Sequence, residues 1–288
     1  MHETAYFYTA AGCAAFGWMR NGGKEMEKKI DGALLAALET IVREAGALAR
    51  EKTLQSSVHI KGSNDFVTDA DLAVSEFLEE KLPGLIEGSR VLSEEDAEKT
   101  GIDGKVFIID PIDGTTNLMY GMNMSVVSVG YCEDGVLMLA AAYQPFTDEM
   151  FTAQLGQGAY LNGQQIRVNA DAKVCDALIG IETGPATRME QGRFFEAMFA
   201  LQKESRGLRL SGSAALDLCY VACGRLSAAA YHYLYPWDFA AGMLLVTEAG
   251  GRVSLMDGGA PVLTGRSRPL LSSNGLVHDE LLAAFEGI

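Results

Sequence analysis

Residues 107–117 read FIIDPIDGTTN, and the rest of the chain can be laid out around this run. The apolar stretch Val106–Phe107–Ile108–Ile109 reads as a short buried strand. Two carboxylates, Asp110 and Asp113, follow it, and Pro111 and Gly114 make the segment between them a turn. Thr115 and Thr116 add hydroxyls, and their segment opens a helix whose first backbone N–H groups have no partner within the helix. Hard cations such as Mg²⁺ take oxygen ligands and commonly share them with a phosphate. Phosphate takes backbone N–H donors at a helix start. One loop after a buried strand offers both.

Outward from this loop the chain alternates in type. Toward the N-terminus, Ile30, Leu34, Leu35, Leu38, Ile41, Val42, Ala45 and Leu48 repeat with a helical period through about residue 53. A second helix spans 70–82 and is stopped by Pro83–Gly84. Toward the C-terminus, 125–132 and 136–143 flank Glu133–Asp134–Gly135 as a hairpin, with shorter strands near 150–153 and 159–161. The second half mixes strands at 177–181, 228–231 and 270–273 with helices at 190–203, 214–223, 237–249 and 279–285. Hairpins mixed with helices predict layered α/β or α+β packing instead of a plain parallel βαβ array.

Composition sets outer bounds. The chain has 288 residues, 48% hydrophobic and 21% charged, which suits a globular protein with a large core. No apolar run approaches the roughly 20 residues needed to span a bilayer. A net charge of −15 argues against nucleic acid as a main partner. It does not exclude an anionic substrate, because clustered carboxylates can hold cations that recruit one. The five cysteines, Cys13, Cys132, Cys175, Cys219 and Cys223, are odd in number and form no CxxC pair, so a reduced, cytoplasmic setting is expected. Cys219 and Cys223 read as apolar fillers of a helix face. His2, His59, His232 and His278 show no metal-ligand spacing and read as surface or packed residues. Residues 1–25 are aromatic, rich in small residues and aperiodic, and are expected to form a poorly ordered extension; 26–288 form the domain proper, and Met26 itself is a candidate start.

The other acidic residues fall in a definite order. Asp65, Asp69 and Asp71 lie in KGSNDFVTDAD, Glu94 and Glu95 follow Val91–Leu92–Ser93, and Asp238 follows Trp237 at the start of an apolar helix. Singly, each has an ordinary structural role: Asp238 as an N-cap, Asp69 and Asp71 as helix-start acids, Glu94 and Glu95 as solvated loop charges. Together they resemble the inositol monophosphatase family of Mg²⁺-dependent, lithium-sensitive phosphatases. The segments that carry the resemblance are NDFVTDAD (64–71), SEE (93–95), FIIDPIDGTTN, GSAALDLCYVACGR (212–225), PWDFAAGMLLVTEAGG (236–251) and SSNG (272–275).

The resemblance implies a sandwich of alternating helix and sheet layers, of the inositol monophosphatase and fructose-1,6-bisphosphatase type, built as one catalytic unit of two subdomains. It implies two or three Mg²⁺ ions, with Glu94, Asp110 and the Ile112 carbonyl holding the first, Asp110, Asp113 and Asp238 the second, and Glu94 reaching a third through water. Asp71 would pair with Thr115 to orient the attacking water. Gly114 and Thr115 would offer N–H groups to the phosphate, with Asp113 and Asp238 beside it, and Ala214 would touch the alcohol portion of the substrate. A homodimer acting on a small phosphate monoester is implied, inositol 1-phosphate first. Fructose 1,6-bisphosphate, 3′-phosphoadenosine 5′-phosphate, NADP, or a non-catalytic regulatory role on the same fold are the alternatives. Met119, Met122 and Met124 suit a dimer surface or the core equally. One position departs from the pattern. Seven residues before Asp238, where the family commonly has a glutamate bonding a ring hydroxyl, this chain has Tyr231, expected at the rim of the pocket; an acid usual after GR is Ser227.

Overall fold

A computed structural model describes residues 32–55, 57–62, 65–94, 101–183, 192–263 and 268–287. The expected extension 1–25 lies outside them. The chain begins with α1 (Gly32–Ala49) and the single turn α2 (Lys52–Gln55), then a ribbon of β1 (Val58–Gly62) and β2 (Asp65–Thr68), then α3 (Asp69–Lys81). β3 (Arg90–Ser93), β4 (Lys105–Asp113) and the short α4 (Thr115–Met119) precede a meander of β5 (Val126–Glu133), β6 (Val136–Gln144), β7 (Glu149–Gln154), β8 (Gly158–Leu161) and β9 (Gln164–Ile166). The second half comprises β10 (Leu178–Glu182), α5 (Gly192–Glu204), β11 (Gly207–Arg209), α6 (Ala214–Ala222), β12 (Ala228–Leu234), α7 (Pro236–Glu248), β13 (Arg252–Leu255), β14 (Arg268–Ser273) and α8 (His278–Ala284).

Two sheets organise these elements. One has seven strands in the order β3-β4-β5-β6-β7-β8-β9, antiparallel except for β3 beside β4. The other has five, β11-β10-β12-β14-β13, parallel across β11-β10-β12 and antiparallel thereafter. Strand periodicity assigns the layers. On β4, Phe107 and Ile109 pack with Leu38, Val42, Val74 and Leu78 of α1 and α3, whereas Val106 and Ile108 pack toward α6 and α7. On β12, Ala229 and Tyr231 face α6 and α7, whereas Ala228 and Ala230 join Phe194 of α5 and Leu281 of α8. The order is therefore α1/α3, seven-stranded sheet, α6/α7, five-stranded sheet, α5/α8, as the layered expectation requires. Each sheet is covered on both faces, which is why β4 reads as a continuous apolar run and not as an alternating one.

Glycines let the helices of the middle layer approach their neighbours closely at two points. A Cβ on Gly242 of α7 would lie 2.5 Å from the Leu218 side chain of α6, and one on Gly130 of β5 would lie 3.2 Å from Ala240 of α7. The hairpin reading holds: Asp134 and Gly135 both have positive φ (51° and 81°), as a two-residue hairpin turn demands. Two boundaries are corrected. The 30–53 helix breaks into α1 and α2. The expected turn at Pro111 is strand: β4 runs on to Asp113, with a register shift against β5 between Asp110 and Asp113. Proline lacks the N–H of a regular ladder, and a bulge accommodates it without ending the strand.

Candidate active site

Five of the acidic residues singled out in the sequence reach one region from four elements. Asp110 and Asp113 stand on the bulged end of β4, Asp71 on the first turn of α3, Glu94 just beyond β3, and Asp238 on the first turn of α7. Local bonds fix each. Asp71 receives the Thr68 backbone N–H at 2.8 Å and its hydroxyl, a reciprocal cap that anchors the start of α3. Asp238 receives the Tyr235 N–H at 2.7 Å in the same way at α7, where Pro236 occupies the first turn without loss of a hydrogen bond. Ser93 is tied to Ser75 of α3 (Oγ–Oγ 3.1 Å), which seats the strand end leading to Glu94.

The expected link between Asp71 and Thr115 is present: Thr115 Oγ lies 2.8 Å from Asp71 Oδ1 and 3.1 Å from the Ile112 carbonyl. Gly114 precedes α4 with φ 91°, and a Cβ there would lie 2.9 Å from the Met124 carbonyl, so only glycine fits. Its backbone N–H turns to Asp113. Asp113 also accepts from the Ser213 hydroxyl at 2.7 Å and from the Ala215 N–H, which binds the start of α6 to the loop.

Electrostatics single out Asp110. It is 2% exposed, and among the described residues its Oδ1 has no hydrogen-bond partner. Burial first, then the charges of Glu94, Asp113, Asp238 and Asp71, push its pKa well above the carboxylate range. Burial also raises Asp238, with Glu94 and Asp113 adding to it. Asp113 is pushed up to about 6 by burial, opposed by its three donors. Burial raises Asp71 against the bonds from Thr68 and Thr115. Among the described residues, every charge that moves Asp110 is negative. A buried carboxylate oxygen with no donor, facing other carboxylates, suits a hard cation and little else. Among the described residues no three His, Cys, Asp or Glu side chains close tightly around one point in this conformation, so the individual ligands stay a matter for proposal.

A family model described as the inositol monophosphatase family matches residues 25–288. The chain belongs to the inositol monophosphatase family. An inositol-1-monophosphatase of Mesorhizobium japonicum is 35% identical over 256 residues, covering 88% of this chain and 96% of that one. A fructose-1,6-bisphosphatase/inositol-1-monophosphatase of Thermotoga maritima is 34% identical over 221 residues, covering 77% and 82%. Among solved structures, an inositol monophosphatase from Anabaena superposes with a TM-score of 0.76 at 29% identity, covering 89% of this chain and 96% of that one. Membership of the inositol monophosphatase family makes the chain a phosphoric monoester hydrolase. No helix among the described residues is long and apolar enough to cross a membrane.

The remaining expectations resolve individually. Tyr231 is not at a rim. It is 0% exposed, its ring lies in the layer between the sheets, and its hydroxyl donates to the Ala214 carbonyl at 3.2 Å. The strand pattern AAAY carries it inward on the face of Ala229, which is the physical reason for the correction. Ala214 itself is buried at the head of α6. Ser227 finds its acid elsewhere, donating to Asp171 Oδ2 at 2.7 Å. Asp69 pairs with His59 on the surface, away from the carboxylate group, and Glu95 lies outside the described residues. Cys219 is buried and Cys223 half-buried, as apolar filling requires. Three contributors emerge only from the structure. Asn117 donates to the Met124 and Ser211 carbonyls (2.8 and 2.7 Å) and ties both segments to α4. Ser213 caps α6 while bonding Asp113. Glu182, at the end of β10, accepts from Gly212 N–H and Ser211 Oγ and is pushed up to about 7, chiefly by burial. A polar residue closing an apolar strand, as in LIGIE, is the sequence signal for the last.

Proposed function

We propose that this chain is a Mg²⁺-dependent phosphomonoesterase acting on a small polyol or sugar phosphate, inositol 1-phosphate first, through water activated at the carboxylate group. The observation that carries the reading is Asp110: buried, with Oδ1 undonated, and surrounded by Glu94, Asp113, Asp238 and Asp71. Glu94, Asp110 and the Ile112 carbonyl would hold one ion, and Asp110, Asp113 and Asp238 another, with Glu94 serving a third through water. Bound Mg²⁺ lowers the pKa of water and neutralises charge on the entering and leaving oxygens.

The chain's own groups do the rest. Thr115 has one hydroxyl proton. Asp71 is nearer than the Ile112 carbonyl and anionic, so it takes that proton's hydrogen bond. The lone pairs of Thr115 Oγ are then available to accept a hydrogen bond from the attacking water and fix its line of approach. Gly114 lets the backbone approach the phosphate closely, and phosphoryl transfer requires mainly such positioning and charge neutralisation. Ala214 and its neighbours border the alcohol portion.

The same reading includes a cytoplasmic homodimer. Free Cys132, Cys175, Cys219 and Cys223 support the reduced setting, and the exposed Tyr120 and Met122 support an apolar contact surface. The test is phosphate release with and without Mg²⁺ from inositol 1-phosphate, fructose 1,6-bisphosphate, 3′-phosphoadenosine 5′-phosphate and NADP. Mg²⁺-dependent turnover fastest on inositol 1-phosphate is expected. Turnover unaffected by a chelator would refute the metal reading, and a faster nucleotide substrate would replace the polyol.

A further inference from the structure

We propose that Glu182 is the specificity-determining residue that reads the hydroxyl-bearing part of the substrate; the inference rests on the phosphatase reading above. By strand alternation its side chain leaves β10 on the face of Gly180, which meets Asp217 of α6, so it points into the layer between the two sheets. Its in-register neighbour on β12 is Tyr231, whose side chain is sealed in that layer with its hydroxyl on Ala214. Glu182 therefore stands one strand over from a residue that cannot reach a ligand. It keeps partial exposure itself.

One residue, Gly212, links it to the Gly114 loop. Gly212 donates its N–H to Glu182 Oε1, and on its other side the Gly212 carbonyl lies 3.2 Å from where a Cβ of Gly114 would stand. Gly212 is exposed, and the residues after it, Ser213 and Ala215, donate to Asp113. On this assignment a phosphate ester held at the Gly114 loop extends its alcohol portion past the exposed Gly212 toward Glu182. The Gly212 N–H and the Ser211 hydroxyl both engage Oε1, and the Ser213 N–H also bonds the carboxylate; a carboxylate has lone pairs enough to accept a substrate hydroxyl besides these. Among the described residues no basic group influences Glu182; the charge felt most is that of Asp113. A half-buried acid set beside like charge is costly to keep ionised, and such groups concentrate at functional sites. A carboxylate is an acceptor, so it selects esters of alcohols that carry further hydroxyls.

The test compares wild type with Glu182→Gln and Glu182→Ala at saturating Mg²⁺, on inositol 1-phosphate and glycerol 2-phosphate against phenyl phosphate, which has no hydroxyl. Glutamine keeps the volume and an acceptor for Gly212. We expect the ratio of kcat/KM for the hydroxylated esters over phenyl phosphate to fall on the order of tenfold or more in both variants, the size of one charge-assisted hydrogen bond, mostly through KM. An unchanged ratio would overturn the assignment. So would an equal loss on all three esters with a lowered melting temperature, which would make Glu182 a clamp on the 211–213 loop and nothing more. Wild type inactive on every ester would instead bring down the phosphatase reading, and this inference with it.

Discussion

Asp110→Asn separates stability from activity at one side chain. The substitution preserves shape and removes the charge. In the protein without bound cations, Asp110 is buried, its Oδ1 lacks a donor, and four neighbouring acids oppose its ionisation. A buried charge opposed by like charges costs at least as much as an unsatisfied buried polar group, about 1–3 kcal/mol, and it is the charge that asparagine removes. Removing it should stabilise the cation-free protein by about that much. For a chain of this size that is roughly 2–10 °C in Tm. Turnover should move the other way. A single electrostatic contributor to a transition state is typically worth 10²–10³ in rate, on the order of 3–4 kcal/mol. Asp110 would serve two ions, so the loss should reach at least that range.

Thermal melts in chelator and in Mg²⁺, followed by phosphate release on the same samples, measure both halves. The variant should melt above wild type in chelator, gain less from Mg²⁺ than wild type does, and turn over substrate at no more than about a hundredth of the rate. A variant retaining more than about a tenth of the activity would show that Asp110 does not bridge. A lower melting temperature in chelator would show instead that the carboxylate holds the fold together, contrary to its missing donor.

Three further outcomes are expected. Thr115→Val should lower kcat by about 10²–10⁴ with little change in KM, and Thr115→Ser should restore most of it; steady-state kinetics in which valine is harmless would remove Thr115 from the water-orienting role. His278, wholly buried between the hydroxyls of Ser254 and Ser273, has its pKa pushed down by burial from 6.5 to about 4. The folded state then binds fewer protons than the unfolded one below pH 6.5, so this contribution is complete above 6.5 and falls by about 2 kcal/mol on reaching pH 5; denaturant midpoints should drop more steeply between pH 7 and 5 in wild type than in His278→Gln. Gly242→Ala forces a Cβ to within 2.5 Å of Leu218 and should cost about 1–3 kcal/mol by denaturant titration, while activity per folded molecule is kept.

Much of this is legible in the sequence because the signals are local. Helical periods, the Asp134–Gly135 turn and the capping acids Asp71 and Asp238 are all read within a few residues. What escapes reading depends on partners far along the chain. β3, β9, β11 and β13 are three or four residues long and exist only because a neighbouring strand completes them. The burial of Tyr231 depends on which face of β12 meets α6, and its tyrosine side chain is compatible with either face. Glu182 acquires its meaning from Gly212, 30 residues away.

The bulge explains why Asp110 and Asp113 can act together at all. Residues three apart on a regular strand point to opposite faces of a sheet. Here Asp110 pairs with Ser128 and Asp113 with Val126, so three steps on β4 match two on β5. Ser128 and Val126 share a face, and cross-strand partners share it with them. The extra residue therefore returns Asp113 to the side of Asp110 and Ile108, toward α6 and α7, where Ser213, Ala215 and Asp238 stand. Pro111 falls inside the shifted stretch, where a missing N–H costs least. The spacing D-P-x-D is thus a strand carrying two acids on one face, and the helix starts of α3 and α7 and the end of β3 bring the remaining acids to it.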